Sequence, residues 1–278
     1  MGTENQKHHL RILPSQGWVP VSFSELWSYR DLLYYLVLRD IRSTTHATRL
    51  GFYWVLLQPL ATAAIISVVM GFLVKVPTDG VPYPVVVLSG LLIWGYVSNV
   101  VIRSSTSMIA NAYLLTKVYF PRIIIPLVPS ISGLIDMAIH LFVITACCFY
   151  YQVLPQSSWL ILPFTMALAI GIALGAGLWV SALTVRFRDF GNIIPVFLQL
   201  GMYISPVFYP SSIVPAHWRW LYDMNPMVGI IDVTRDAIVG RGDVQFGSLG
   251  YPMEVAFFLL FSGIFYFRVS EDIASDLV

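Results

Sequence analysis

Six runs of mostly apolar residues divide the chain, at approximately Phe52–Val74, Tyr83–Ile102, Ile123–Tyr150, Trp159–Val185, Asn192–Tyr209 and Tyr251–Phe267. A hydrocarbon core about 30 Å thick, crossed at about 1.5 Å per helical residue, needs about 20 such residues. Each run meets that length, and the third and fourth are long enough to tilt or to extend beyond the bilayer. The fifth is the weakest, with Pro195 and Pro206 near its ends. The pattern predicts an all-α membrane protein with six transmembrane helices, its six-span region running over 51–268 between tails at 1–21 and 269–278.

Two further segments are patterned but do not span. Residues 22–50 open with Ser22 and Glu25 at capping-box spacing, and their apolar run Leu32–Leu38 is too short to cross. With Trp27, Tyr29 and Arg30 they predict an amphipathic helix lying in the membrane interface, with a lead-in to the first span. Residues 210–250 mix Trp218, Trp220 and Tyr222 with a moderately apolar run, Met227–Val239, that carries Asp232, Arg235 and Asp236. Apolar stretches of this length re-enter a membrane more readily than they cross it. A break at Asn225-Pro226 would make two short helices, because proline disfavours a helical residue before it. Arg235 stands three residues after Asp232 and can pair with it on one helix face.

Charge gives the pattern a direction. With six spans and an inside N-terminus, twelve of the 16 Lys and Arg residues fall inside; Lys75, Arg219, Arg235 and Arg241 fall outside. The positive-inside rule then places both termini in the cytoplasm. Composition agrees with a chain mostly in lipid: 57% hydrophobic residues, 11% charged residues and a mean hydropathy of +0.75. A water-facing domain carries about 25% charge. A net charge of +1 says nothing about nucleic acid, and no Lys/Arg-rich run supports it, so no nucleic-acid partner is expected. The adjacent Cys147 and Cys148 lie in an apolar stretch without metal-ligand spacing, so they read as small core residues and no metal site is expected. The chain has no G-x-x-x-x-G-K-[ST] phosphate loop and no G-x-G-x-x-G turn, so no cofactor or nucleotide is expected on it.

Ionisable residues inside spans are costly. Asp136 and His140, at i,i+4 in the third span, stack on one helix face and suit either a proton relay or a hydrogen-bonded helix contact. Gly171 and Gly175 have G-x-x-x-G spacing in the fourth span, which permits close helix approach within the subunit or across a dimer. Tyr53, Trp54, Trp159, Tyr209 and Tyr251 fall near span ends and read as an interface belt. Trp94, Tyr96 and Tyr203 lie deeper, where they would line a glycan path or simply pack. Arg103, Lys117 and Arg122 fall in one inside loop and Arg186, Arg188 and Asp189 in the next; Ser104–Tyr119 has the pattern of a short amphipathic helix suited to a cytoplasmic partner.

Five strings occur in order: R-D-I-R…R-L-G-F-Y-W-V-L-L-Q-P-L (Arg39–Leu60), V-Y-F-P-R-I-I-I-P-L (Val118–Leu127), R-F-R-D-F-G (Arg186–Gly191), S-P-V-F-Y-P (Ser205–Pro210) and N-P-M (Asn225–Met227). Together, from about residue 25 onward, the chain resembles the permease subunit of bacterial ABC transporters that export lipid-linked polysaccharide such as O-antigen or capsule. That resemblance implies a non-enzymatic homodimer in the inner membrane, bound to two copies of a separate subunit that holds ATP and Mg. The cargo it implies is a glycan on undecaprenyl diphosphate, moved from cytoplasm to periplasm through the dimer centre. It implies a docking loop for the ATPase around Tyr113, Lys117, Phe120 and Arg122, with Arg186 and Asp189 in the neighbouring loop. It implies a lateral gate between the first and fifth spans with Arg42, Arg49 and Trp54 near the lipid diphosphate. Trp94, Tyr96, Tyr203 and Phe208 would line the glycan channel, and Trp218, Asp232 and Arg235 would form a periplasmic gate. The stretch Ser43–Thr48 departs from the pattern by being poor in basic residues between Arg42 and Arg49.

Other cargoes keep the same architecture: teichoic acid, a small lipid or a drug. A membrane-embedded glycosyl- or acyltransferase would instead need acidic or His residues clustered at one membrane face, and only Asp136 and His140 are paired.

Overall fold

The computed structural model describes residues 23–46, 51–78, 80–240 and 246–277, and among them every regular element is helical. In chain order the α-helices are α1 (Phe23–Ser28), α2 (Arg30–His46), α3 (Gly51–Ile66), α4 (Tyr83–Ala110), α5 (Ala112–Lys117), α6 (Ile124–Tyr150), α7 (Leu162–Arg186), α8 (Phe190–Ile204), α9 (Ala216–Asp223), α10 (Pro226–Val239) and α11 (Gly250–Leu277). A π-helical turn, Ser67–Leu73, extends α3, and short 3-10 turns lead into α7, α9 and α11.

Among the described residues five helical stretches are long and apolar enough to cross a membrane: Val55–Leu73, Tyr83–Ala110, Ile124–Tyr150, Ser157–Arg186 and Phe246–Ser270. The fifth expected run differs. Its helix α8 has 15 residues and is roughly 22 Å long, short of the hydrocarbon thickness. The helix stops where Ser205 turns to an extended backbone before Pro206, as the steric preference of a pre-proline residue requires. The chain then continues through Ser205–Phe208, all buried against α4.

The core is built around α4, apolar on every side; Val85–Leu88, Leu91–Trp94, Val97, Val100 and Val101 are all buried. Helices α6 and α7 flank it, and α11 packs on α7. Helices α3 and α8 sit at the periphery, with Leu57, Ile65 and Phe72 exposed on α3 and Phe197, Leu200 and Ile204 exposed on α8. Such faces are stable against lipid tails, which are as apolar as leucine.

Small residues set the closest approaches. A methyl group on Gly175 would lie 2.4 Å from the Leu259 carbonyl carbon, and one on Gly263 would lie 2.6 Å from the Gly175 carbonyl oxygen. The glycine-rich run of α7 is therefore a seam with α11 inside one subunit. Trp179 closes it by donating to Ser262 at 2.9 Å and stacking on Tyr266 at 4.1 Å. On the other side of α7 a methyl at Gly177 would meet Ser104 Oγ of α4 at 2.9 Å.

Two helical expectations shift. The segment Ser104–Tyr119 is not one helix: its first turns continue α4 to Ala110, and a break at Asn111 precedes the six-residue α5. The serines let α4 run on because Ser105 and Ser107 return their hydroxyls to carbonyls three residues back, at 2.7 and 2.8 Å. The expected N-terminal helix is split at Tyr29 into α1 and α2. Its Ser22 capping position lies outside the described residues.

The break at Asn225-Pro226 is where the pattern placed it. Asn225 accepts from the Met227 N–H at 3.0 Å, capping α10, and donates through Nδ2 to Ser205 Oγ at 2.8 Å. Asn225→Ala removes both. Losing the cap costs about 1 kcal/mol and the tie about as much again. We expect the detergent-solubilised variant to melt about 4–8 °C below wild type, at about 2–4 °C per kcal/mol.

Candidate functional site

One end of the bundle is basic. It gathers α2, the segment from Asn111 to Ile123, and the turn between α7 and α8. Tyr113 and Lys117 stand out from α5, with the Lys117 ammonium 2.7 Å from the Tyr113 hydroxyl and 4.3 Å from its ring centre. Val118 and Tyr119 are exposed beside them. Phe120 turns the other way: it is buried against Leu36, Val37, Met108 and Ile123–Ile125, so it anchors the segment. Arg122 is half-buried. In the neighbouring turn Arg186 lies over the Phe187 ring at 5.3 Å, and Arg186 and Asp189 are both exposed. A methyl at Gly191 would sit 3.6 Å from both Thr106 and Thr184, which places this turn beside the end of α4. Two exposed loops thus share one face.

Under that face lies a polar cluster that the sequence does not announce. Asp40 of α2 accepts from Arg103 of α4, and from Ser132 Oγ of α6 at 2.5 Å. Its neighbour Arg39 donates to Asn111 Oδ1 at 2.5 Å, at the junction of α4 and α5. A cavity of about 210 Å³ opens between these helices, lined by Arg39, Asp40, Arg103 and Asn111 with Leu36 and Val128. Arg103 reads as an ordinary inside cation in the sequence; only the fold brings Asp40 to it.

The remaining expected residues fall in three places. Arg42 is exposed on α2, Arg49 lies outside the described residues, and Trp54 belongs to α3 although its side chain is outside them. Of the four aromatics assigned to a channel, only Tyr203 is exposed. Trp94 is buried against Gly201 of α8, Tyr96 is buried with its hydroxyl 2.9 Å from Ser130 Oγ, and Phe208 is buried with its ring 5.8 Å from that of Tyr203. All three pack inside the subunit because α4, apolar all round, occupies its centre. Asp136 accepts from Asn99 of α4 at 3.1 Å, and His140 Nδ1 donates to the Asp136 backbone carbonyl at 2.8 Å. This is the hydrogen-bonded helix contact, with no carboxylate–imidazole pair.

The opposite end is organised by Arg235, which is only 6% exposed. Its Nε donates to Ser89 Oγ at 3.2 Å, and its Nη2 to the Val86 carbonyl at 3.4 Å and to the Pro206 carbonyl. Its Nη1 reaches the Tyr209 carbonyl at 3.4 Å and Asp232 Oδ1 at 3.3 Å. The expected Asp232–Arg235 pair is there, held further by Ser211 donating to Asp232. Every guanidinium nitrogen is used, so Arg235 is a clamp joining α10 to α4 and to the broken backbone after α8. Tyr83 adds a bond from its hydroxyl to the Phe208 carbonyl at 2.5 Å. Burial pushes the Tyr222 hydroxyl far above the ordinary phenol range, so it stays neutral beside this cluster. Trp218, on α9, is exposed and takes no part in the clamp.

Over residues 31–239 the sequence matches the family described as ABC-2 type transporter. The chain belongs to the ABC-2 type transporter family. It is 27% identical to the O-antigen export system permease protein of Klebsiella pneumoniae over 84% of this chain and 87% of that one. It is 25% identical to the polysialic acid transport protein of Escherichia coli over 85% of this chain and 92% of that one. An inner membrane transport permease of Escherichia coli K12 is 25% identical over 82% of this chain and 94% of its own length. As an ABC-2 permease the chain is a multi-pass membrane transport protein that pairs with an ATP-binding subunit. The strings quoted above meet in the fold: Asn225 of N-P-M bonds Ser205 of S-P-V-F-Y-P, and Phe120 of V-Y-F-P-R packs on Leu36 and Val37 of α2, just ahead of R-D-I-R.

Proposed function

We propose that this chain is the transmembrane subunit of an ATP-driven exporter that moves lipid-linked polysaccharide, on undecaprenyl diphosphate, from the cytoplasm to the far side of the bacterial inner membrane. The match to O-antigen and polysialic acid export permeases over most of both chains carries this reading. In it the basic end faces the cytoplasm with both termini. The exposed loop at Tyr113–Tyr119 and the turn at Arg186–Asp189 receive two copies of the ATPase, which bind ATP and Mg. The sixth crossing is α8 together with the buried turn Ser205–Phe208: Tyr83, at the start of α4, bonds the Phe208 carbonyl, so this turn carries the chain on from the end of the short helix. Helices α1 and α2 lie in the cytoplasmic interface, and α9 and α10 re-enter from the periplasmic side. The loosely packed α3 and α8 face a second copy, with Arg42, Arg49 and Trp54 at the lateral gate and Tyr203 on the path.

Cells lacking the chain are expected to lose a surface polysaccharide and to accumulate its lipid-linked form on the cytoplasmic side. The tagged chain is expected to co-purify an ATP-binding subunit. Unchanged surface polysaccharide in the deletion strain would overturn this cargo. Arg42→Ala is expected to lower export roughly tenfold, the loss of a charge-assisted contact of about 1.5 kcal/mol, with complex assembly intact; an unchanged rate removes Arg42 from the gate.

A further inference from the structure

Consecutive residues of α2 hold two different points of the bundle. Arg39 bonds Asn111, the pivot from which α5 and its exposed loop depart. Asp40 bonds Arg103 and Ser132, on the facing sides of α4 and α6. The Asp40 and Arg103 side chains are only about a quarter exposed, at 24% and 23%. Removing one would strand the other where water solvates it poorly. The position of α2 and that of the loop pivot are therefore set together.

The same seam offers Arg103 a second acceptor. One turn further along α4, Asn99 bonds Asp136, which lies one turn beyond Ser132 on α6. Residues four apart on a helix lie on one face, so Asn99 and Arg103 form two rungs opposite Asp136 and Ser132. Among the described residues Asp136 has a hydrogen bond from Asn99 and no ion pair. Ser132 already shares Arg103 with Asp40, accepting from Arg103 at 3.2 Å while donating to Asp40. The cavity beside Arg39, Asp40 and Arg103 opens toward Asn111, so the guanidinium is not packed tightly on that side.

We propose that Asp40 and Arg103 are positioning residues that latch α2 to the α4–α6 seam while Arg39 ties it to the docking-loop pivot, and that Arg103 exchanges Asp40 for Asp136 when α2 is displaced. The exchange keeps the cation paired in both positions, which makes the two arrangements discrete. Force applied by an ATPase to α2 and α5 is then passed into the α4–α6 seam. This rests on the exporter reading for the step it serves; the latch itself is read without cargo.

The test uses the full complex in membranes. Asp40→Asn is expected to assemble and to hydrolyse ATP while export falls roughly tenfold, within the range of a coupling residue. Asp136→Asn leaves the resting latch untouched and is expected to lower export by a similar factor, with the double variant no worse than the more severe single one. Arg103→Lys keeps a cation able to exchange and is expected to retain part of the export. Wild-type export by either single variant, or singles that multiply in the double, overturns the proposal. A cargo-free readout separates it from the exporter reading: spin labels on Tyr35→Cys and Ile109→Cys, with Cys147 and Cys148 replaced by alanine. ATP should lengthen this distance in the wild-type background, and Asp40→Asn should lengthen it without ATP. Identical distances in both backgrounds overturn the latch whatever the cargo; a shift in distance in a protein whose deletion strain keeps its surface glycan overturns the cargo alone.

Discussion

Gly175→Val is expected to leave almost no folded protein. A methyl at this position would lie 2.4 Å from the Leu259 carbonyl carbon and 2.6 Å from the Leu260 nitrogen. Both are backbone atoms of α11, which cannot rotate aside as a side chain does, so the two helices must separate. The opposing glycine allows no relief, since Gly263 already faces the Gly175 carbonyl. Separation would undo the stack of Trp179 on Tyr266 and the bond from Trp179 to Ser262. The cost should lie at or beyond the top of the about 1–3 kcal/mol typical of overpacking. The comparator is Gly171→Ala, whose methyl would meet Leu260 Cδ1 at 3.4 Å and Ala256 Cβ at 3.5 Å, ordinary contacts. Size-exclusion traces of fluorescently tagged variants in mild detergent should show a near-normal peak for Gly171→Ala and only aggregate for Gly175→Val. A normal peak for Gly175→Val would mean that α7 and α11 do not meet at these glycines.

That seam was legible in the sequence because small residues at a four-residue spacing have one physical use in lipid. The long apolar runs were legible for a similar reason: a mostly apolar run of 27 residues such as α6 has few alternatives to a helix that crosses. Two things were hidden. A helix that is apolar all round, as α4 is, gives no sign of which face looks inward, so the depth of Trp94 and Tyr96 could be read but not their enclosure. Pairings between distant residues leave no mark on hydropathy. Arg103 meets Asp40 across 63 positions and Arg235 meets Ser89 across 146. Arg103 therefore reads as loop charge, and Arg235 as a partner of Asp232 alone, until the fold brings their other partners in. The shortness of α8 had a visible cause, Pro206, whose consequence depends on α4 being there to accept a turn of backbone at Gly90. A methyl on Gly90 would stand 2.6 Å from the Val207 backbone, so that acceptance needs a glycine.

Arg235→Ala is expected to be the most damaging single change at the far end of the bundle. Irregular backbone buried in a membrane protein is tolerated only when other groups satisfy it. Here one guanidinium does so, reaching the carbonyls of Val86, Pro206 and Tyr209 while pairing with Asp232. Alanine leaves those carbonyls and a carboxylate without it, the situation in which breaking a buried pair costs about 3–5 kcal/mol. Lysine keeps the charge, but its ammonium has three donors in place of five and no planar fork to span α4 and the broken segment. The series should therefore rank wild type above Arg235→Lys, and Arg235→Lys above Arg235→Ala, in melting temperature. The Ala variant should fall by about 6–20 °C, at about 2–4 °C per kcal/mol. A gate residue would behave differently: its loss would alter export and leave melting near wild type. Melting curves of the three proteins in the same detergent decide between the two roles, and an Ala variant as stable as wild type would return Arg235 to the gate.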